Sequence, residues 1–254
     1  MIDLSNIDTV TPTEYSRYMY IDKILREVLK GKVNTACDIG CGTGKLLSAL
    51  KRSGISVKGI DVSEESIRIA GNRIKNSAIS LEKKDVFNLN ERFDLVYLTE
   101  VLEHIKRDAE LLAFLRNKAV KKSGFLILTV PAHTFLYSNF DRNVGHFRRY
   151  DKKALISLLD RCGFKTLIFW SYGSLLFHII ANLSIASKKE AFTTGGKPDD
   201  FRGKTEKSAI REFSPFLRFF VSRVNIMHYF FFFLDYLFRN RDMGIEYCLL
   251  CKSY

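Results

Sequence analysis

Cysteine is scarce in this chain, with five residues in 254, and they form no disulfide framework. Cys37 and Cys41 flank a glycine loop, while Cys248 and Cys251 fall on an expected terminal strand, so buried apolar thiols fit better than zinc ligands. The expected compartment is therefore reducing, which points to the cytoplasm. A cleavable export signal is missing too: the opening MIDLSNIDTV is acidic and polar where a basic and then an apolar stretch would be needed. Acidic residues fall short of basic ones, 28 against 40, leaving a formal charge of +12 that favours an anionic surface, whether lipid headgroups or nucleic acid. No recognisable nucleic-acid module accompanies the charge, which ranks a lipid or lipid-linked partner above nucleic acid. Leu167 to Ser187 lacks charge altogether. Its first residues complete a strand, however, and His178 and Asn182 interrupt the remainder, so no membrane span is expected.

What is present is more specific. Residues 33–44 read VNTACDIGCGTG, a strand-like run ending in an acid and then a glycine loop, after which LLSAL begins a helix. Val33, Ala36 and Ile39 suit a buried strand of a parallel sheet. Gly40, Gly42 and Gly44 let the backbone turn tightly and approach a ligand closely, and the helix start behind them offers N–H groups to an anionic ligand end. A dinucleotide fingerprint is the nearest rival. Its third glycine would fall on Lys45, and Asp38 stands where such a site keeps the strand apolar. A second strand, SVKGID, delivers Asp61 roughly 20 residues after the loop, where a ribose diol needs a bidentate acceptor.

These residues resemble the cofactor loop of class I S-adenosylmethionine-dependent methyltransferases. The resemblance extends to Asp85 and Val86 after a third strand, the family position that contacts adenine. It extends also to Thr99 and Glu100 at the end of a fourth, in FDLVYLTEVLEHI. It implies a cofactor set of Asp38, Gly40, Cys41, Gly42, Gly44, Asp61, Val62, Asp85, Val86, Thr99 and Glu100. The implied fold is α/β: a Rossmann-like, doubly wound, mostly parallel seven-stranded sheet with helices on both faces and a helical insertion between the last two strands. Strands are expected near 33–38, 56–61, 78–84, 93–98, 124–130, 164–170 and 245–252, the last one antiparallel. Ahead of them, 13–30 reads as a helix with apolar Tyr15, Tyr18, Ile21, Ile24, Leu25 and Leu29, either a lid over the cofactor or core. The expected organisation is a polar leader at 1–12, a core at 13–171, an insertion at 172–243 and a final edge strand at 244–254.

The insertion reads as an uncharged apolar helix from Tyr172, a polar linker at 188–211 and a second helix at 215–238. Wound at 100° per residue, the second helix gathers Arg218, Ser222, Asn225, His228, Asp235 and Arg239 in one narrow arc, and only Arg223 breaks the apolar remainder. So wide an apolar face packs on the fold, on another subunit, or on a membrane interface.

Beyond the fifth strand, VPAHTFLYSNFDRNVGHFRRY resembles a branch of the same superfamily that carries Pro-Ala-His and then Gly-His-x-Arg-Arg-Tyr, matched here at Pro131, Ala132, His133, Asp141, Gly145, His146, Arg148, Arg149 and Tyr150. The expected substrate residues are Tyr18, Asp141, Arg148, Arg149 and Tyr150. The expected proton acceptors are His146 and His133, since imidazole titrates near neutrality, with loop orientation as their other reading. Arg148 and Arg149 either fork onto a substrate anion or pair with Asp141 or Asp151. Asp151 is expected to cap the next helix. Glu100, Glu103 and His104 fall on one face of a helix, but the family keeps this pattern without metal; none is expected, and Glu103 should cap or pair within the fold.

The function implied is transfer of a methyl group from S-adenosylmethionine to O, or secondarily N, of a small-molecule, glycan or lipid-linked acceptor. Alternatives are a nicotinamide-dependent oxidoreductase and a non-catalytic membrane- or partner-binding module. The expected location is cytoplasmic, with peripheral contact at the inner face of the membrane as an option.

Overall fold

A computed structural model describes residues 10–50, 54–74, 78–173 and 226–254. Along the chain run α1 (Pro12–Glu27), β1 (Thr35–Ile39), α2 (Lys45–Leu50), β2 (Ser56–Asp61), α3 (Glu64–Arg73), β3 (Ile79–Lys83) and β4 (Phe93–Thr99). They are followed by α4 (Asp108–Phe114), β5 (Val120–Pro131), α5 (Asn139–Val144), α6 (Lys152–Arg161), β6 (Phe164–Tyr172), a helix labelled α7 (Ile226–Phe238) and β7 (Glu246–Ser253). The seven strands form one sheet in the order β3-β2-β1-β4-β5-β7-β6. β1 to β5 are parallel, and β7 runs antiparallel between β5 and β6. Strand order reverses at β1 and β4, so the crevice beyond their carboxyl ends is the expected ligand site of an open α/β sheet.

Alternation along the strands divides the core between the two faces. On β4, Leu95 and Tyr97 join α1 residues Tyr20, Ile21 and Ile24 on one face. Val96 and Leu98 join Leu111, Leu112, Leu155 and Leu159 of α4 and α6 on the other. α1 starts on a capping box, in which Thr11 Oγ1 accepts from Glu14 N–H at 3.1 Å and Glu14 Oε2 accepts from Thr11 N–H at 2.9 Å.

Tyr172, read as the start of the first inserted helix, is instead the last residue of β6, paired with Glu246, while residues 174–225 lie outside the described residues, Arg218, Ser222, Arg223 and Asn225 among them. α7 packs on α1 with its polar arc inward. His228 is fully buried, its Nε2 2.7 Å from the Val10 carbonyl oxygen, and Asp235 Oδ2 accepts from Ser16 Oγ at 2.5 Å. Phe232 stacks against Tyr20, with ring centroids 5.6 Å apart, whereas Tyr229, Phe230, Phe233 and Leu237 are each more than half exposed. Among the described residues no helix is long and apolar enough to cross a membrane.

Candidate active site

The glycine loop lies at the end of β1, with all three glycines at positive φ: 69° at Gly40, 52° at Gly42 and 73° at Gly44. A Cβ on Gly40 would meet Val101 Cγ2 at 2.5 Å, and one on Gly44 would meet Ile74 Cδ1 at 2.8 Å, but at Gly42 nothing lies within 4 Å. Gly42 therefore faces open space while its neighbours are wedged into the fold. Two contacts hold the loop in this shape. Arg73 Nη1 on α3 donates to the Thr43 carbonyl at 2.6 Å, and Asp61 Oδ2 accepts from Gly42 N–H at 2.9 Å. The other Asp61 oxygen accepts from Ser63 N–H at 2.9 Å. Cys41 turns toward the sheet, its Sγ 3.1 Å from where a Cβ on Gly59 would stand.

Asp38 is 1% exposed and its Oδ1 has no hydrogen-bond partner among the described residues. Burial, reinforced by the charge of Asp61, pushes its carboxyl up to about 8. A buried, unpartnered carboxylate oxygen beside an open glycine is a fitting partner for a cationic ammonium group. Asp85 follows β3, where its Oδ1 accepts from Phe87 N–H at 3.0 Å and caps the turn Val86–Asn88. Lys84 N–H donates to the Asp61 carbonyl at 2.9 Å, which sets Asp85 beside the β2 end. Val62 is 40% exposed. Gly42, Asp61 and Asp85 thus lie at the adjacent ends of β1, β2 and β3, whereas the Cys41 thiol packs into the sheet.

At the β4 end, Glu100 adopts a left-handed φ of 55°, uncommon for a residue with a side chain. Its Oε1 accepts from Thr129 Oγ1 at 2.8 Å and its Oε2 lies 3.2 Å from Arg17 Nη2. Arg17 Nε also donates to Tyr172 Oη at 3.0 Å, tying α1 to the crevice. Tyr18, one residue on, is buried. Glu246, at the start of β7, completes this cluster and carries no motif that the sequence analysis picked out. Burial and the nearby Glu100 hold its carboxyl well above the usual range, and its Oε2 lacks a hydrogen-bond partner among the described residues.

The loop after β5 closes on itself. Arg149 Nε donates to Asp141 Oδ1 at 2.8 Å, and both residues are buried. Arg148 Nη1 donates to Asp108 Oδ2 at 2.7 Å, an oxygen that also accepts from Tyr150 Oη at 3.1 Å. Both arginines are paired internally, Arg149 with Asp141 as one expectation had it, but Arg148 with Asp108 rather than with Asp141 or Asp151. Asp151 stands at the N-cap of α6, yet its carboxylate makes no cap bond. It accepts instead from Thr134 N–H at 3.0 Å and Thr134 Oγ1 at 2.6 Å, fastening the turn that follows His133. His133 has a positive φ of 61°, with Nδ1 3.5 Å from Tyr247 Oη and Nε2 3.7 Å from Asp242 Oδ1. Tyr247 Oη donates to the same Asp242 oxygen at 2.6 Å. Asp242 and Tyr247 lie far along the chain from His133, and no local pattern announces the grouping. The segment Leu102–His104 is a short 3₁₀ turn rather than an α-helical face. Glu103 there is fully buried and makes no hydrogen bond with either carboxylate oxygen among the described residues; its Oε1 lies 3.9 Å from His104 Nε2 and 3.8 Å from His146 Nε2.

Residues 13–167 match the model of a family described as methyltransferase domain. Among curated proteins, the ubiquinone biosynthesis O-methyltransferase of Rhizobium etli is 36% identical over 102 residues, covering 38% of this chain and 41% of the relative. The chain thus spans about two fifths of the length of the curated relatives it matches first. A solved S-adenosylmethionine-dependent methyltransferase from Mesorhizobium loti superposes with a TM-score of 0.57 at 15% identity, covering 94% of this chain and 98% of that one. The N-methyltransferase NodS of Bradyrhizobium japonicum, solved with S-adenosyl-L-homocysteine, gives a TM-score of 0.53 at 21% identity, covering 65% of this chain and 82% of that one. At such identities the structural likenesses establish the fold.

Proposed function

The chain belongs to the methyltransferase domain family, and from that premise we propose that it moves a methyl group from S-adenosylmethionine to an oxygen, or secondarily a nitrogen, of a small acceptor. The observation that carries the cofactor assignment is the buried Asp38 oxygen, without a hydrogen-bond partner among the described residues, at the end of the strand that leads into the loop with the open Gly42. In this reading Asp38 takes the ammonium end of the cofactor, the Gly40–Gly44 backbone lines its methionyl part, Asp61 faces the ribose and Asp85 and Val86 border the adenine. When bound, the cofactor supplies an already activated methyl group on a sulfonium.

Little covalent help is then needed, and placement of the nucleophile supplies much of the rate. Glu100, pinned by Thr129 and Arg17, borders the transfer end of the crevice. An oxygen acceptor must also lose its proton. His133 takes that role, because Asp242 lies near enough to stabilise the imidazolium once the proton has moved. His146, partly buried between Asp141 and Glu103, holds the loop. Asp141, Arg148, Arg149 and Tyr150, paired internally, hold the loop that borders the acceptor, and Tyr18 approaches from α1. The curated relatives' names favour an oxygen acceptor.

A lipid-linked acceptor is supported by the outward apolar face of α7 together with the positive charge of the chain. A nicotinamide oxidoreductase is disfavoured by Lys45 at the third fingerprint position, and a non-catalytic binding module by the buried acid set of the crevice. The test is a donor-labelled methyl-transfer screen against fractionated lipid and glycan extracts, beside calorimetry with S-adenosylhomocysteine. Absence of S-adenosylhomocysteine binding would refute the cofactor assignment. Binding without labelled product from any fraction would refute the acceptor classes.

A further inference from the structure

β7 runs antiparallel to β5 and β6, so its first residue stands at the carboxyl end of the sheet although its own strand is only beginning. Glu246 is that residue. It pairs in register with Pro131 at the end of β5 and with Tyr172 at the end of β6, and directly opposed residues of antiparallel strands share a face. Tyr172 packs in the core under α1, so Glu246 faces the α1 side of the rim. There it joins Glu100, whose Oε1 accepts from Thr129 Oγ1 at 2.8 Å.

The charges at this point do not balance. Arg17 Nη2 lies 3.2 Å from Glu100 Oε2 and its Nε donates to Tyr172 Oη at 3.0 Å, while Arg149, the other guanidinium that acts on Glu246, donates to Asp141 at 2.8 Å. Each cation is thus matched by another carboxylate. Glu246 is left over: it is 9% exposed, and its Oε2 is buried with no hydrogen-bond partner among the described residues. A carboxylate so placed is costly, and it escapes the cost by keeping a proton or by meeting a cation. Burial and the nearby Glu100 hold its carboxyl well above the usual range, so it keeps its proton until a cation replaces it. Two further observations favour a ligand. The left-handed φ of 55° at Glu100 is strain of the kind that collects at binding sites, and the Arg17 and Glu100 side chains retain 15% and 22% exposure, so the cluster opens to solvent.

We infer that Glu246 anchors a positively charged amine carried by the methyl acceptor. Its place sets it on the acceptor side, since Gly42, Asp61 and Asp85 lie at the ends of β1 to β3 and Glu246 lies beyond β4 and β5 from them. A primary ammonium donates three hydrogen bonds, and such charge-assisted bonds to a carboxylate are strong. It has no lone pair, however, so the group held at Glu246 does not receive the methyl. The receiving oxygen lies elsewhere on the same molecule, which makes the acceptor an amine that also carries a hydroxyl, as in an amino alcohol or an amino sugar. This inference rests on the reading of the crevice as a methyltransferase site.

Benzylamine and benzyl alcohol differ in charge but hardly in shape, and calorimetry compares them on full-length protein with and without S-adenosylhomocysteine. Benzylamine should bind about tenfold or more tightly than the alcohol. Glu246→Gln, which keeps the shape and removes the charge, should abolish that preference while S-adenosylhomocysteine affinity stays near wild type. Circular dichroism monitors its fold. Wild-type protein that shows no preference for the amine overturns the anchor whatever the variant does. A preference that survives in folded Glu246→Gln overturns it as well, because the charge would then lie on another residue. Absence of S-adenosylhomocysteine binding refutes the cofactor assignment alone, since the two probes are also compared without it.

Discussion

Asp61 Oδ2 at the end of β2 accepts the Gly42 N–H at 2.9 Å, so the acid expected to receive the ribose also holds the glycine loop in shape. Asp61→Ala should therefore weaken S-adenosylhomocysteine binding by about 1–3 kcal/mol, the range for buried polar groups left unpaired. Calorimetry checks this, and an affinity equal to wild type would exclude Asp61 from the site.

Gly42 and Gly44 share the strained φ but not the space around them. Gly44→Ala drives a methyl into Ile74 and Ala70 and should cost about 1–3 kcal/mol of stability beyond the shared strain. Gly42→Ala should fold more stably than Gly44→Ala yet lose more cofactor affinity, since its methyl points into the open space. Urea denaturation and calorimetry on the two variants separate the effects; a reversed order in either measurement refutes the assignment of that space.

Asp38 titrates at about 8, raised from 3.8 first by burial and then by Asp61. A carboxyl with a raised folded value binds its proton more tightly when folded, so its ionisation costs stability progressively from about pH 4 up to about pH 8. Asp38→Asn should therefore be more stable than wild type at pH 8, by on the order of 1–3 kcal/mol, with the difference gone near pH 4. The same variant should bind S-adenosylhomocysteine more weakly. Stability curves without that pH dependence would show that Asp38 is not the buried charge.

With an acceptor in hand, His133→Ala should lower kcat by roughly 100-fold while leaving S-adenosylhomocysteine affinity near normal. Asp242→Asn should keep part of the activity at unchanged S-adenosylhomocysteine affinity, because it removes the charge that faces the imidazolium formed on proton transfer. Full activity in His133→Ala would mean that placement alone drives transfer.

α7 offers a test of membrane contact that leaves the fold intact. Phe230→Ser combined with Phe233→Ser alters only outward residues, and should abolish co-sedimentation with anionic vesicles at low salt while S-adenosylhomocysteine still binds. Binding by the wild type should itself weaken as salt screens the lysines and arginines. Phe232→Ser, by contrast, removes a ring packed on Tyr20 and should destabilise the protein. Wild-type protein that never sediments with vesicles sinks the membrane reading.

The sheet was legible because strand, glycine loop and acid recur in chain order with little sequence between them. β2 falls at its expected residues, and β1, β3 and β4 lie within a residue or two of theirs. β5 begins earlier than expected, since Val120 pairs with Phe93 across a register irregularity that no periodicity announces. The orientation of α7 was not legible either. A helical wheel separates polar from apolar residues but does not say which side meets water, and here Ser16 and the Val10 carbonyl on the neighbouring segment draw Asp235 and His228 inward. Residues near the cofactor loop stood out because glycine and acid types are constrained by local backbone. Glu246, Asp242 and Arg17 did not, because they enter the crevice only through long-range strand and helix packing. Asp151 fits a capping pattern locally, yet the hydroxyl and N–H of Thr134, distant in sequence, capture its carboxylate.

β7 lies between β5 and β6, although it follows both in the chain. During synthesis β6 emerges with no strand beside it, since its one partner in the sheet is made only after α7. The strand is amphiphilic, with Phe164 and Tyr172 destined for full burial, and it waits through that interval with unpaired backbone groups on both edges. Assembly of this half of the sheet is thus timed by the length of the segment between β6 and β7, and lengthening that segment prolongs the interval in which the nascent chain is open to wrong partners.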